Sequence, residues 1–237
     1  MIKYKRISLK LSGEALGNAE VIDFAAARRI ADEIKILVDA GVEVGVTLGG
    51  GNIWRGRSSG EMDRNRADQM GMLATVINSL AMEALLKEVG VPCKVLSATP
   101  MERVCDTYTS QRAEAAFAAG QVVLFAAGTG LPFFSTDTAA ALKAAETGAN
   151  ALLLAKNVDG VYSADPKRDP SAVRYPHLTY DEVIARNLQA TDITAVTLCR
   201  ERGIPILIFA MREPGSILRA ASGEDVGTLV DGSARIG

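Results

Sequence analysis

Several residue types that commonly build active sites are scarce in this sequence. It contains one histidine and three cysteines, and Cys93, Cys105 and Cys199 lie far apart without a C-x-x-C pair. Cysteines spaced in this way predict buried or neutral thiols in a reducing compartment, not a disulfide framework or a metal site. The chemistry of any site must therefore come mainly from other residue types.

A strong charge of either sign and long apolar runs are also missing. The formal net charge is −2 over 237 residues, which predicts no overall attraction to nucleic acid or to an anionic membrane. No apolar run approaches the ~20 residues of a membrane-spanning helix. The basic start at residues 1–6 leads into a strand-like segment that Lys10 interrupts, unlike a signal peptide. We expect a cytoplasmic protein in which local groups bind any anion.

Strand-like and helix-like patterns alternate along the chain and indicate its fold class. Asp23, Thr179 with Glu182, and Thr191 are the expected caps of three helices. The alternation predicts an α/β fold, a three-layer α/β/α sandwich with a mainly parallel central sheet. The predicted strands cover residues 7–11, 42–48, 92–96, 121–127, 151–154, 205–209 and 228–230, and helices cover 23–40, 67–89, 110–119, 179–187, 191–203 and 216–221. The segment 128–137 opens a further, Ala-rich helix that ends near residues 147–148.

Two common phosphate-binding motifs, G-x-G-x-x-G and G-x-x-x-x-G-K-[ST], are absent. Instead, three glycine-bearing turns at residues 10–13, 49–51 and 128–130 each follow a predicted strand. The carboxyl ends of parallel strands share one edge of the sheet, where ligands usually bind. Residues 49–51 alone fit a tight turn as well as a phosphate site, but the convergence of three turns favours a phosphate site.

The sequence resembles the amino-acid-kinase superfamily in an ordered series of motifs that spans nearly the whole chain. These are K-L-S-G-E-A-L at residues 10–16, G-G-G-N at 49–52, G-T-G at 128–130, S-T-D at 135–137 and N-V-D-G-V-Y at 157–162. Within that superfamily, K-L-S-G-E-A-L, the run G-M-L-A-T at 71–75 and T-G-L-P-F-F-S-T-D at 129–137 are similar to bacterial UMP kinases.

The resemblance implies one amino-acid-kinase domain over residues 1–237, with an acceptor half at roughly 1–147 and an ATP half at 148–237. It implies transfer of the γ-phosphoryl group of ATP to UMP, giving UDP and ADP in pyrimidine nucleotide biosynthesis. Mg²⁺ would be held mainly by the ATP phosphates, without direct protein ligands. A homohexamer assembled from dimers, a GTP activator and a UTP inhibitor are also implied. A kinase with a carboxylate acceptor and a nucleotide-binding relative without turnover remain alternatives.

The same resemblance assigns site residues, with Lys10, Arg55 and Asp137 as catalytic groups. Gly50 would face UMP and Gly51 would face ATP, so a Gly50→Val change is expected to block turnover without harming the fold. The implied ATP-side residues are Lys10, Leu11, Ser12, Gly13, Gly51, Arg55, Asn157, Tyr162 and Asp165. The implied UMP-side residues are Gly50, Asp68, Thr129, Gly130, Leu131, Pro132, Phe133, Phe134, Ser135 and Thr136.

The proposed chemistry needs no general base, because a nucleoside monophosphate is largely a dianion near neutral pH. Positioning and cations would then carry the reaction. Simpler structural roles stay open for several of these residues. Asp68 and Asp137 also fit helix caps, and Phe133 and Phe134 are favoured as core residues over base-stacking ones.

Two positions depart from the family pattern. Leu131 stands where many relatives carry a polar residue, commonly asparagine, so uracil selectivity would rest on the backbone and Thr129. Lys156 stands where relatives often have threonine followed by lysine, which leaves the alignment there open to a shift of one residue.

Overall fold

The strands of the central sheet and the helices around it follow the chain in near alternation. The computed structural model describes residues 2–17, 20–54, 62–166, 168–188, 191–211 and 214–233. The strands are β1 Arg6–Leu11, β2 Glu43–Leu48, β3 Cys93–Ser97, β4 Asp106–Thr107, β5 Val122–Ala126, β6 Ala151–Lys156, β7 Val161–Tyr162, β8 Arg174–Tyr175, β9 His177–Thr179, β10 Ile206–Ala210 and β11 Gly227–Asp231. The helices are α1 Phe24–Asp39, α2 Arg64–Glu88, α3 Ser110–Ala118, α4 Thr136–Glu146, α5 Tyr180–Ala185, α6 Ile193–Arg202 and α7 Ser216–Ala221, and a 3₁₀ turn covers Gly13–Ala15.

Nine strands form one sheet in the order β4-β3-β5-β2-β1-β6-β10-β11-β9. Its neighbouring strands are parallel, except that β11 is antiparallel to β10. Strands β7 and β8 form a separate antiparallel pair. Helices α1, α2 and α7 pack on one face of the sheet, and α4, α5 and α6 share a second apolar cluster with the other face. This arrangement confirms the predicted three-layer α/β/α fold with a mainly parallel sheet.

The alternation of side chains along β1 directs its polar residues to a single face. Ile7, Leu9 and Leu11 belong to the apolar cluster shared with α1 and α2. Ser8 points the other way and donates a hydrogen bond to the Ala140 carbonyl of α4, at 3.1 Å. Because side chains alternate with a period of two, Lys10 also faces α4.

Helix caps confirm two of three sequence expectations. The Asp23 carboxylate accepts a hydrogen bond from the Ala26 amide at 2.9 Å, and Thr179 and Glu182 form a reciprocal capping box at α5. The expectation for Thr191 is wrong, because Asp192 caps α6 through the Thr194 amide. The Thr191 hydroxyl is instead directed to a buried carboxylate described below.

Helix α2 differs from its prediction at its start. It begins at Arg64, three residues earlier than expected, because Asp63 provides the cap and accepts from the Arg66 amide at 3.1 Å. By length and composition alone α2 could cross a membrane, but 44% of its most apolar window is buried in the protein. It packs against α1 and strands β2, β3 and β5, as the core helix of an α/β domain does.

Candidate functional site

Three glycine-bearing turns meet at the carboxyl edge of the sheet, as expected from the sequence. Strands β5, β2 and β1 are adjacent and parallel. The turns at residues 10–13, 49–51 and 128–130 lie at the carboxyl ends of these strands. They therefore lie side by side, in the place where α/β sheets usually bind ligands.

The first two turns pack against each other through their backbones. A Cβ atom added to Gly13 would lie 2.6 Å from the Gly51 amide nitrogen and 2.7 Å from the Gly49 carbonyl oxygen. A Cβ on Gly49 would lie 2.8 Å from the Gly13 nitrogen. Glycine is therefore needed at these two positions for chain packing, whether or not a ligand is bound.

Gly50 and Gly51 have different surroundings. A Cβ on Gly50 would meet the Ala74 Cβ and the Gly71 carbonyl oxygen of α2, each at 2.8 Å, whereas one on Gly51 would meet nothing within 4 Å. Of these two glycines, only Gly51 borders open space among the described residues. The expectation that Gly50→Val would leave the fold intact is wrong, because its backbone rests directly on α2.

A buried carboxylate joins two lysines beside these turns. Asp137, in the first turn of α4, places its Oδ1 3.0 Å from the Lys10 Nζ and its Oδ2 2.5 Å from the Lys156 Nζ. The Thr191 hydroxyl donates to the same Oδ2 at 3.2 Å. The Lys10 ammonium also donates to the Ser12 hydroxyl at 3.2 Å. This cluster ties the ends of β1 and β6 to the start of α4.

Two roles are considered for Asp137, a helix cap and an orienting role, which can hold together. Ser135, not Asp137, caps α4, since its side chain accepts a hydrogen bond from the Thr138 amide at 3.1 Å. The Asp137 carboxylate is thereby available to both lysines. The expectation that Asp137 caps the helix is therefore wrong. Its contact with Lys10 is the one that the orienting role implied by the family resemblance requires.

Electrostatics in the cluster favour a bound anion. Burial raises the pKa of the Asp137 carboxyl, but Lys10 and Lys156 more than offset that effect and hold the pKa well below its usual range. Burial also lowers the pKa of Lys156, with Asp137 acting in the opposite direction and Lys10 reinforcing the decrease. Asp192 also favours the charged form of Lys156 and so raises its pKa. The two ammonium groups gather at the sheet edge, which suits an incoming phosphate group.

Lys156 is the functional candidate that sequence reasoning missed. The predicted strand ended at residue 154, which left Lys156 in a loop, but β6 continues through it. In the sheet, Lys10 of β1 is paired with Leu154 of β6. Two residues further on, Lys156 points to the same face. The signal in the sequence was that the apolar run continues past residue 154 to Ala155, directly before Lys156.

Asp68 connects α2 to the loop that follows the third turn. Its carboxylate accepts hydrogen bonds from the Arg64 side chain at 2.9 Å and from the Phe133 backbone amide at 2.8 Å. The alternative that Asp68 caps α2 is wrong, because Asp63 does so. A pocket lies beside it, lined by Gly50, Gly51, Trp54, Ala67, Asp68, Gly71, Met72, Thr75, Gly128, Thr129, Leu131, Phe134, Ser135 and Thr136.

The side chains of the loop at residues 129–134 are largely open to solvent. Leu131, Phe133 and Phe134 are 60%, 61% and 50% exposed, so the preference for Phe133 and Phe134 as core residues is wrong. The Thr129 hydroxyl bonds to the backbone nitrogen and oxygen of Leu131, at 3.2 and 3.1 Å. Thr129 therefore shapes the loop through its own side chain. Pro132 is partly buried.

The residues predicted to contact the adenosine part of ATP do not form one cluster of contacts among the described residues. Asn157 donates a short hydrogen bond to Glu14, which places the loop after β6 against the 3₁₀ turn after β1. The Tyr162 hydroxyl bonds to Asp159 at 2.8 Å, and Asp165 lies 3.6 Å from the Arg168 guanidinium. Arg55 belongs to residues 55–61, which lie outside the described part of the chain.

Comparison with known proteins identifies the family. A model described as the amino acid kinase family matches residues 5–210. The chain belongs to the amino acid kinase family.

Three solved structures resemble this amino acid kinase over nearly its whole length. UMP kinase from Bacillus anthracis is 38% identical, with a TM-score of 0.93, and the match covers 98% of this chain and 97% of that one. UMP kinase from Ureaplasma parvum is 40% identical, with a TM-score of 0.91 and coverage of 97% and 100%. Uridylate kinase from Archaeoglobus fulgidus is 28% identical, with a TM-score of 0.73 and coverage of 95% and 99%.

The two neighbouring glycines of this amino acid kinase give a matched pair of variants. Gly50→Val should lower the free energy of unfolding by about 1–3 kcal/mol, because the new side chain collides with the α2 backbone. Gly51→Val should change it by less than about 1 kcal/mol, because the side chain enters open space. Urea denaturation measures both values, and equal losses would contradict the different environments of the two glycines.

Asp137→Asn should destabilise the protein by roughly 3–5 kcal/mol at pH 7, because the buried Lys10 and the partly buried Lys156 lose their shared carboxylate. Since the pKa of Asp137 is lowered on folding, its contribution is complete above the unfolded value of about 3.9 and is lost as the pH falls below it. Urea denaturation at pH 7 and pH 3 should therefore give a smaller difference from wild type at pH 3.

Asp181→Asn is the matched control for that experiment. Asp181 pairs with Arg200 at 2.8 Å, but its side chain is 79% exposed. Loss of an exposed pair should cost less than about 1 kcal/mol. If the two aspartate variants lost similar stability at pH 7, the buried cluster would not be the structural anchor described above.

Proposed function

We propose that this amino acid kinase transfers the γ-phosphoryl group of ATP to UMP, giving UDP and ADP in cytoplasmic pyrimidine nucleotide biosynthesis. The observation that carries the proposal is the Lys10–Asp137–Lys156 cluster, which lies where the glycine-bearing turns meet. Full-length similarity to solved UMP kinases supports UMP as the acceptor.

The cluster suits phosphoryl transfer between two polyanions. The acceptor phosphate is already a nucleophile, so the protein needs to align the two nucleotides and stabilise charge on the transferring group. The ammonium groups of the buried Lys10 and the partly buried Lys156 supply that positive charge. Asp137 holds both ammonium groups in place, so that little reorganisation accompanies the reaction.

UMP is proposed to occupy the pocket between α2 and the loop at residues 129–136. Asp68 would accept hydrogen bonds from the ribose hydroxyls. These bonds would take the place of its contact with Arg64, whose side chain is half-exposed. The carboxylate would keep its hydrogen bond to the Phe133 amide and would thus connect the ribose to the loop at residues 129–136. Thr136 begins α4, whose amino terminus favours a phosphate group.

ATP is proposed to lie across the ends of β1 and β6. Ser12 and Gly13 would offer backbone donors beside Lys10, and Gly51 would border both nucleotides without a side chain in the way. Asn157, Tyr162 and Asp165 are proposed to contact the adenosine part. The guanidinium fork of Arg55 is proposed to bind phosphate oxygens.

Mg²⁺ fits this site as a partner of ATP more than as a protein-bound ion. Among the described residues, no group of three or more His, Cys, Asp or Glu side chains could hold a metal. Asp137, whose carboxylate lies in the proposed reaction centre, is engaged by two lysines. When bound through the ATP phosphates, the ion neutralises part of their charge.

The proposed assembly is a homohexamer built from dimers. The outer face of α2 presents Met70, Leu73 and Ile77, which are exposed and spaced by three and four residues. We propose this face as a contact between copies, because apolar residues at such spacing share one side of a helix. Light scattering should give the mass of about six chains, and a monomer mass would refute the assembly.

A coupled assay of ADP release tests the proposed reaction. The acceptors are UMP, CMP, dTMP, acetylglutamate and carbamate, each supplied with Mg·ATP. UMP should give the highest kcat/KM, whereas turnover with a carboxylate acceptor alone would redirect the assignment to another acceptor class. GTP and UTP, titrated in the same assay, should raise and lower the rate if they regulate the enzyme.

Lys10→Met should reduce kcat at least about a hundredfold, because a lost charge contact at the transition state costs about 2.7–4 kcal/mol. The KM for UMP should change little, since the contact strengthens mainly in the transition state. Steady-state kinetics with both substrates varied measures the two parameters separately. Lys156→Met should behave in the same way.

Lys143→Met is the control for these lysine variants. Lys143 is also buried, but it pairs with Glu146 at 2.8 Å and lies over the Tyr108 ring. It is six residues from Asp137 along α4, about 9 Å away. The kcat of Lys143→Met should stay near the wild-type value. A loss of kcat as large as that of Lys10→Met would show that the effect of Lys10→Met comes from general destabilisation.

A further inference from the structure

The run Gly71-Met72-Leu73-Ala74-Thr75 resembles UMP kinases, yet it contributes no charged group to the proposed reaction. It lies within α2, and Thr75 is buried. The Thr75 hydroxyl donates to the Met72 carbonyl at 2.7 Å and accepts a hydrogen bond from the Ala127 amide at 2.9 Å. A side chain of the helix thus holds the backbone of the segment that follows β5.

Ala127 occupies a backbone conformation that is unfavourable for alanine. Its φ angle is +61°, in the left-handed region, although it has a side chain. Such a residue persists only where its surroundings hold it in place. Ala127 also accepts a hydrogen bond from the Gly130 amide at 2.9 Å, and so closes the third glycine-bearing turn. Its conformation sets the direction in which the loop at residues 128–135 leaves the sheet.

The same helix face also holds the second glycine-bearing turn. Asn78, one turn beyond Thr75 and fully buried, donates to the Gly49 carbonyl at 2.7 Å. Gly50 rests against Gly71 and Ala74. Two turns border the proposed acceptor pocket, and α2 holds each of them by a hydrogen bond. Asn78 binds the second turn, and Thr75 binds the residue before the third.

We propose that Thr75 is a positioning residue for the acceptor nucleotide. Its hydroxyl fixes the Ala127 amide and thereby the start of the loop that contacts UMP, without itself touching the reacting atoms. The identity of the acceptor rests on the proposed function, whereas the link between the hydroxyl and the loop does not.

Thr75→Val tests this role, because it removes the hydroxyl and keeps the branched shape. The Ala127 amide then loses its partner in a buried place, and the loop can relax. The KM for UMP should rise about tenfold, equivalent to about 1.4 kcal/mol. The KM for ATP should stay within about twofold, and Thr75→Ser should restore the wild-type KM for UMP.

Ser79→Ala is the matched control on the same face of α2. The Ser79 hydroxyl is also buried, but it donates to the Thr75 carbonyl within the helix, at 2.8 Å. This variant removes a buried hydroxyl without touching either turn, so its KM values should match wild type. A tenfold rise in the KM for UMP in both variants would overturn the positioning role.

Two readouts do not depend on turnover. Trp54, the single tryptophan of the chain, lines the acceptor pocket, so its fluorescence can report UMP binding. Amide hydrogen exchange at residues 127–130 should be faster in Thr75→Val than in wild type and unchanged in Ser79→Ala. Unchanged exchange in Thr75→Val would overturn the positioning role, whatever the acceptor.

The two proposals can fail separately. If the wild-type protein neither binds nor phosphorylates UMP while exchange rises only in Thr75→Val, the proposed function is wrong and the loop is still set by Thr75. If the wild-type protein phosphorylates UMP but Thr75→Val leaves the KM for UMP unchanged, the proposed function survives and the positioning role is overturned.

Discussion

The Asp137 carboxylate is the constraint on which the described site depends, because it binds two lysines from different strands. Lys10 is the penultimate residue of β1 and Lys156 is the last of β6, and their contacts with Asp137 attach both strand ends to α4. Removal of one partner from a buried charge cluster is costly, so the three side chains act as a unit. The two lysine ammonium groups also make the sheet edge suitable for phosphate groups. The same interaction thus contributes to the fold and to the proposed chemistry.

The loop at residues 128–135 is held at both ends and exposed between them. At its start, Thr75 binds the Ala127 amide. At its end, Asp192 accepts hydrogen bonds from the Ser135 and Thr138 hydroxyls, at 2.6 and 2.8 Å, which ties the start of α4 to that of α6. Leu131, Phe133 and Phe134 project from the middle of the loop. The fixed ends give the proposed UMP site a defined position. Binding to such a preformed site costs less conformational entropy than binding to a mobile loop.

The glycine-rich turns show how one sequence motif can serve two purposes. Gly13, Gly49 and Gly50 allow close packing of the turns with each other and with α2, whereas Gly51 faces open space. A run of three glycines at a strand end therefore does not assign every member to a ligand. The spatial neighbours of each residue decide its role, and these come from elements far apart in the chain.

The sequence by itself determined the α/β class, most element positions, the caps at Asp23 and Thr179, and the gathering of three turns at one sheet edge. These features follow from local periodicity, local hydrogen bonds and the geometry of parallel strands, all of which neighbouring residues specify. The family resemblance added Lys10 and Asp137. Only the tertiary structure brought Lys156 and Thr191 to Asp137, separated Gly50 from Gly51, and placed Thr75 under Ala127. Those contacts join residues up to 54 positions apart, as between Asp137 and Thr191, and they depend on sheet register and helix packing that no local pattern encodes.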